Sequence, residues 1–200
     1  MGSASGSAGS TVMSTVKTGA RDVPVKILAS TGPEYCIKLW TLATRQELAP
    51  PLKGHKGNIF AMAFSPDGKL LATAGAELTD RLCHVSSGRL LHEFKGHSTW
   101  VRAVAFSPDG RTLATGGTDE TVILWNVASG QELLTLTRPG LIVGSLMFSS
   151  SGETLAAGEL REYGATGPVE LWQAPSFAEI EELERTRLEA NSKLLRKDFK

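Results

Sequence analysis

KGHSTWVRAVAFSPDGRTLATGG, at residues 95–117, repeats in register a stretch that begins 42 residues earlier, KGHKGNIFAMAFSPDGKLLATAG at residues 53–75. Self-similarity at a fixed period predicts stacked supersecondary units, because a single copy has too little apolar surface to form its own core. The function of the chain is therefore expected on the surface of a repeated scaffold.

Each unit is predicted to consist of short antiparallel strands. Apolar residues alternate through Val101, Ala103 and Ala105, which is the period of a strand with one buried face. Ser107-Pro108-Asp109-Gly110 then gives a tight turn, because Pro fixes φ at the second position, Asp suits the third and Gly is tolerated at the fourth. The resulting unit has four strands, predicted at 100–106, 111–116, 121–127 and 131–136.

The repeated signature consists of a Gly-His pair, an FSPDG turn and a closing Trp. The pairs are Gly54-His55 and Gly96-His97, and Trp125 closes the better copy within TVILWNV. This combination resembles the WD-repeat family of β-propellers, although Asn126 replaces the family's terminal Asp. The resemblance implies blades of four antiparallel strands that act as a noncatalytic protein-protein interaction scaffold.

Two weaker copies extend the repeat, KILASTGPEYCIKLW at 26–40 and SLMFSSSGETLAAGE at 145–159 with VELW after it. We predict an all-β, WD-repeat-like propeller segment of about four four-stranded blades, with a C-terminal α-helix. The expected divisions are a Gly/Ser-rich lead at 1–10, a degenerate blade one at 11–51, blade two at 52–94, blade three at 95–136, blade four at 137–174 and the helix at 175–200.

The number of blades leaves two alternatives open. Propellers have roughly four to eight blades, and the resembling family usually has about seven. Blade one is expected to lack a clear first strand, although TVMSTV at 11–16 could supply a degenerate one, and blade four is expected to lack its last strand. We therefore expect the C-terminal portion of a longer propeller; the alternative is self-association of copies, since an open stack would expose apolar flanks.

The resemblance implies a hydrogen-bonded lock inside blade three, formed by His97, Thr115, Asp119 and Trp125. A buried indole N–H needs an acceptor, and an imidazole fixed by a carboxylate can accept from a hydroxyl. The set is similar to a catalytic triad, but in this family it recurs as a structural element. Blade two departs from it, with Glu77 for the Asp and Cys83 for the Trp.

In the resembling family, partners dock where the first strands begin and the turns between second and third strands converge. Position by position, this implies a partner-binding set of Asn58, Phe60, Trp100, Arg102 and Thr118. Trp and Arg are the commonest hot-spot residues at protein interfaces. The alternative is that Trp100 and Phe60 only fill gaps between blades.

Composition narrows the partner classes. The chain has 21 basic and 21 acidic residues, so its formal charge is zero and nothing favours nucleic acid. No apolar run approaches the roughly 18 residues needed to span a membrane. Cys36 and Cys83 have no zinc spacing, and we expect neither cofactor nor metal, in a reducing cytoplasm.

Two segments stand outside the repeat pattern. Ser176 and Glu179 form a capping box that opens an amphipathic stretch, the predicted helix, which either packs on the last blade or binds a partner. The insertion GELREYGATGPVE at 158–170 lengthens the turn before Trp172, and loops tolerate such insertions without a function.

Two further hypotheses compete with a simple scaffold. The chain could be the sensory or regulatory portion of a larger signalling enzyme, such as a protein kinase, whose own Gly-rich loop would lie in additional sequence. A propeller enzyme using His55, His97 and Asp119 is the third, and it requires those side chains to be exposed and close together.

Overall fold

Four antiparallel sheets follow one another along the chain in the computed structural model, which describes residues 11–18, 23–48, 50–160, 167–173 and 185. Blade one comprises β1 (Thr11–Thr18), β2 (Val23–Thr31), β3 (Ile37–Thr41) and β4 (Gln46–Glu47), with a 3₁₀ turn at Pro33–Tyr35. Blade two comprises β5 (Ile59–Phe64), β6 (Leu70–Gly75), β7 (Thr79–His84) and β8 (Leu90–Lys95).

Blade three repeats that order with β9 (Val101–Phe106), β10 (Thr112–Gly117), β11 (Thr121–Asn126) and β12 (Glu132–Thr137). Blade four has β13 (Val143–Phe148), β14 (Thr154–Glu159) and β15 (Val169–Gln173). In each sheet the strands pair in chain order. The prediction of an all-β fold with four antiparallel sheets is therefore confirmed.

The two ends of the stack differ from the inner blades. Blade one has a first strand, which includes the TVMSTV stretch, because β1 pairs with β2 along its whole length, from Thr11 opposite Ser30 to Thr18 opposite Val23. Blade four has three strands rather than four among the described residues. The predicted C-terminal helix at 175–200 lies outside the described residues apart from Arg185, and it stays a prediction.

The tight turns form as the Ser-Pro-Asp-Gly chemistry requires. The Ser65 hydroxyl donates to the Asp67 carboxylate (2.6 Å), and the Leu70 amide donates back to the same hydroxyl (2.9 Å). Gly68 has a φ of 70°, and its equivalent Gly110 has a φ of 72°, which is the left-handed region that favours Gly. These turns fix the register of the first two strands in blades two and three.

The core lies between the sheets. Buried side chains of blade one pack on blade two, those of blade two on blade three, and those of blade three on blade four. Alternating residues of each strand face the blade before and the blade after, so every inner sheet is covered on both sides. This face-to-face stacking places the starts of successive first strands side by side.

Candidate functional site

The side chains of Phe60, Trp100 and Arg102 meet where blades two and three adjoin. The ring centroids of Phe60 and Trp100 lie 5.9 Å apart at an interplanar angle of 51°. The Cζ atom of Arg102 is 4.0 Å from the Phe60 centroid and 5.3 Å from the Trp100 centroid. The guanidinium thus rests on two aromatic rings, a cation–π arrangement. We call these three side chains the aromatic–arginine cluster.

The backbone explains why residues from different blades come together there. The residue before each first strand accepts a hydrogen bond from the turn after the second strand. The donors Ala76, Thr118 and Leu160 reach the carbonyls of Asn58, Trp100 and Ile142 at 2.8, 2.8 and 2.7 Å respectively. Because the three acceptors are spaced 42 residues apart, their side chains occupy the same place on successive blades.

Exposure differs within the predicted partner-binding set. Trp100 is 50% exposed and Asn58 is also exposed, whereas Phe60 and Arg102 are half-buried. The Thr118 hydroxyl donates to that of Thr99 at 2.8 Å. Phe60 is thus partly covered where the two blades adjoin, while Trp100 presents much of its surface to solvent.

Arg102 has an unusual electrostatic position. Its Nε atom is buried and has no hydrogen-bond partner among the described residues. A guanidinium is planar, always charged and weakly hydrated, so it tolerates stacking on aromatic rings better than an ammonium does. The cluster thus combines an exposed indole surface with a positive charge that can bind further hydrogen-bond acceptors.

The four predicted lock residues of blade three form one hydrogen-bonded chain. The Trp125 indole N–H donates to the Thr115 hydroxyl (2.8 Å), and that hydroxyl lies 2.8 Å from His97 Nε2. The other ring nitrogen of His97, Nδ1, is 3.1 Å from both carboxylate oxygens of Asp119. The chain joins the segment before β9, the strand β10, the turn after it and the strand β11.

The direction of these hydrogen bonds follows from which groups can donate a proton and which can only accept one. A carboxylate only accepts, so His97 carries its proton on Nδ1 and donates it to Asp119. His97 Nε2 is then an acceptor, and the Thr115 hydroxyl proton goes to it. Burial alone would raise the pKa of Asp119, but hydrogen bonds from Thr121 and the Ser98 amide, together with His97, hold that pKa below its ordinary value.

Blade two carries a variant of the lock. His55 Nε2 lies 2.7 Å from the Thr73 hydroxyl, and His55 Nδ1 is hydrogen-bonded to the Glu77 carboxylate. Cys83 is buried at the position of the Trp. Burial lowers the pKa of His55; Glu77 opposes that shift and Arg81 adds to it. His55 therefore favours the neutral form, which suits a structural hydrogen bond.

Asp80 is a buried acid that the sequence analysis missed. It is 2% exposed, and its Oδ1 atom has no hydrogen-bond partner among the described residues. Burial raises the pKa of Asp80 to about 8; the Thr115 hydroxyl lowers it, while Glu77 and Asp119 raise it further. The signal that could have found it is the repeat itself, because Asp80 occupies the position of Val122 in the next copy.

Two neighbouring acids favour the protonated form of Asp80. Glu77 and Asp119 both raise the pKa of Asp80, and the Oδ1 atom of Asp80 has no hydrogen-bond partner among the described residues. A neutral carboxyl avoids a buried negative charge beside these two acids. The interface between blades two and three therefore favours an uncharged Asp80 at neutral pH.

The remaining locks are simpler. In blade one the Trp40 indole donates to the Ser30 hydroxyl at 3.0 Å, and in blade four Ala157 occupies the hydroxyl position.

Within the described ranges no group of three or more His, Cys, Asp or Glu side chains could hold a metal ion. The same part of the chain contains no helix long and apolar enough to cross a membrane.

Comparison with known proteins identifies two of the units. Residues 46–85 and 88–126 match the family model described as "WD domain, G-beta repeat". Small ribosomal subunit protein RACK1y of Oryza sativa subsp. japonica is 39% identical over 57 residues, which cover 28% of this chain and 17% of that protein. Coronin-7 of Mus musculus is 45% identical over 47 residues, or 24% of this chain and 5% of that protein. The matched stretch thus spans less than a fifth of either relative.

Proposed function

We propose that the chain, which matches the WD-repeat model at residues 46–85 and 88–126, is a noncatalytic protein-interaction scaffold whose partner docks on the aromatic–arginine cluster. The observation that carries the proposal is the position of the Arg102 guanidinium on the rings of Phe60 and Trp100, with half of the Trp100 surface exposed. Thr118 adjoins the cluster, because its amide donates to the Trp100 carbonyl, and Asn58 holds the position of Trp100 in blade two.

Rigid presentation is the proposed mechanism. The backbones of Trp100 and Asn58 are fixed by hydrogen bonds to the turns beside them, and the guanidinium of Arg102 lies against the rings of Phe60 and Trp100. A partner that docks here orders few side chains, so little conformational entropy opposes binding. The expected ligand group pairs an apolar surface, packed on the indole, with a carboxylate or carbonyl oxygen for the guanidinium.

The burial of the lock supports a noncatalytic role. The His97 and Asp119 side chains are 1% and 7% exposed, and Thr115 is completely buried. A nucleophile and base in those positions would have no access to a substrate, whereas a buried hydrogen-bonded chain stabilises a blade. His97 and Asp119 are thus already committed to each other and to Thr115.

Quantitative affinity purification from cells tests the proposal. The wild type is compared with Trp100→Ala and Arg102→Ala, and with Leu90→Ala as a matched control at another exposed apolar site, 43% exposed on β8. Circular dichroism and urea midpoints establish that each variant is folded. Partners should be lost from the first two variants and retained by the control. Equal recovery of every partner by the Trp100 and Arg102 variants would remove this face from consideration.

A further inference from the structure

Every blade repeats one cross-strand pair between its second and third strands. The pairs are Ala29–Leu39, Ala72–Leu82, Ala114–Leu124 and Ala156–Leu171. In the first three blades both members are at most 1% exposed, because the following blade packs on them. In blade four Leu171 is 66% exposed. Blade four, the last of the described blades, thus exposes a surface whose equivalent is buried in each of the other three blades.

The exposed surface extends across all three strands of blade four. Met147 pairs with Ala156, which pairs with Leu171, and this row corresponds to Ala105, Ala114 and Leu124 of blade three. Those three residues of blade three are at most 9% exposed, whereas Met147 is 68% and the neighbouring Val169 is 64% exposed. We call Met147, Ala156, Val169 and Leu171 the leucine face.

Blade one presents the counterpart of this surface. In blade three, Leu113 and Trp125 pair across the sheet and pack on blade two, with the ring of Trp125 5.1 Å from that of Phe94. Leu28 and Trp40 pair in the same way in blade one, and both are half-buried. Alternation places them opposite the side that packs on blade two. We call Leu28, Lys38 and Trp40 the tryptophan face.

We propose that the leucine face of one copy packs on the tryptophan face of a second copy, and the reverse, so that two chains close an eight-bladed ring. The contact would reproduce the one that joins blades two and three within the chain. The four residues of the leucine face carry no charge, and Lys38 keeps its ammonium 5.6 Å above the Trp40 ring, where its stem covers apolar surface. Eight blades lie within the range of known propellers, and a two-fold axis makes both contacts identical.

A complementation experiment distinguishes this head-to-tail contact from other associations. Light scattering after size exclusion, over a concentration series of the full chain, should give twice the 21.3 kDa chain mass. Leu171→Lys and Leu28→Lys should each raise, by at least about tenfold, the protein concentration at which half of the dimer has dissociated. An equimolar mixture of the two variants should regain the dimer, because it retains one intact contact. Leu90→Lys, away from both faces, is the control and should remain dimeric.

Three results would overturn the proposal. A monomeric wild type at every concentration would mean that residues 174–200, further blades of a longer protein or another protein cover the leucine face. A dimeric Leu28→Lys would mean that two leucine faces pack on each other, and mixed variants that fail to complement would exclude the head-to-tail contact. Should either variant lose its circular dichroism signal, Trp40→Gln and Val169→Lys replace them. Trp100→Ala should stay dimeric, so a failure here is separable from a failure of the docking proposal.

Discussion

Replacing Asp80 by Asn should remove a specific pH dependence from the stability of the chain. The pKa of Asp80 rises from an ordinary value of 3.8 to about 8 in the folded state because the side chain is buried. Between these values the folded chain keeps a proton that the unfolded chain has released. The stability that protonated Asp80 contributes is therefore fully present below pH 4 and is lost as the pH rises toward 8. Above pH 8 this contribution no longer changes.

The size of the effect follows from the same shift. Each pH unit inside the window costs about 1.4 kcal/mol, so the folded state should lose about 3 kcal/mol between pH 5 and pH 7 through this residue alone. Asn has nearly the same shape as a protonated Asp, but it does not titrate. The variant should consequently gain stability relative to the wild type as the pH rises.

Urea unfolding followed by Trp fluorescence, at each pH unit from 5 to 9, measures this difference. The free energies of wild type and Asp80→Asn should diverge by about 1.4 kcal/mol per unit up to about pH 8 and run parallel above it. Glu153→Gln, which removes an exposed carboxylate, is the control and should parallel the wild type throughout. Parallel curves for Asp80→Asn between pH 5 and 8 would refute a buried, protonated Asp80.

Two further changes test the packing of the blades. Thr115→Val should lower the free energy of unfolding in urea by about 3 kcal/mol, because the His97 imidazole and the Trp125 indole N–H both lose their partner. Thr73→Val leaves only the His55 imidazole without its partner and should cost about half as much, and equal costs would contradict this difference between the two locks. Gly116→Ala should lower the melting temperature, because a Cβ at this position would overlap the Val143 side chain at a cost of about 1–3 kcal/mol. Gly57→Ala is the control, and a loss of melting temperature in Gly116→Ala no larger than in this control would argue against tight contact between blades three and four.

The features that could be predicted from the sequence depend on local chemistry. The Ser-Pro-Asp-Gly turns and the alternation through Val101 to Phe106 specify a hairpin without reference to the rest of the chain, and the structure has a hairpin there. The 42-residue offset likewise indicated that Phe60 and Trp100 would lie on neighbouring blades. Periodicity thus carried both the strand order and the approximate location of the cluster.

The features that could not be predicted depend on packing between distant segments. The strand β1 has no Gly-His signature before it, so TVMSTV at 11–16 indicated only a degenerate strand, and the full strand forms through pairing with β2. Asp80 is a charged residue type within a strand, so its sequence context indicated exposure. Its burial results from the packing of blade three on blade two. The stacking of Arg102 on both rings depends on a rotamer that only the assembled blades select.

Site-specific photocrosslinking tests whether a partner docks on the aromatic–arginine cluster. A benzophenone amino acid placed at position 100, within the exposed edge of the cluster, is compared in cells with the same residue at position 153, in the turn at the opposite end of blade four. We predict discrete protein adducts from position 100 that Arg102→Ala diminishes, and none of these adducts from position 153. The same adducts from both positions, or adducts from position 153 alone, would contradict this prediction.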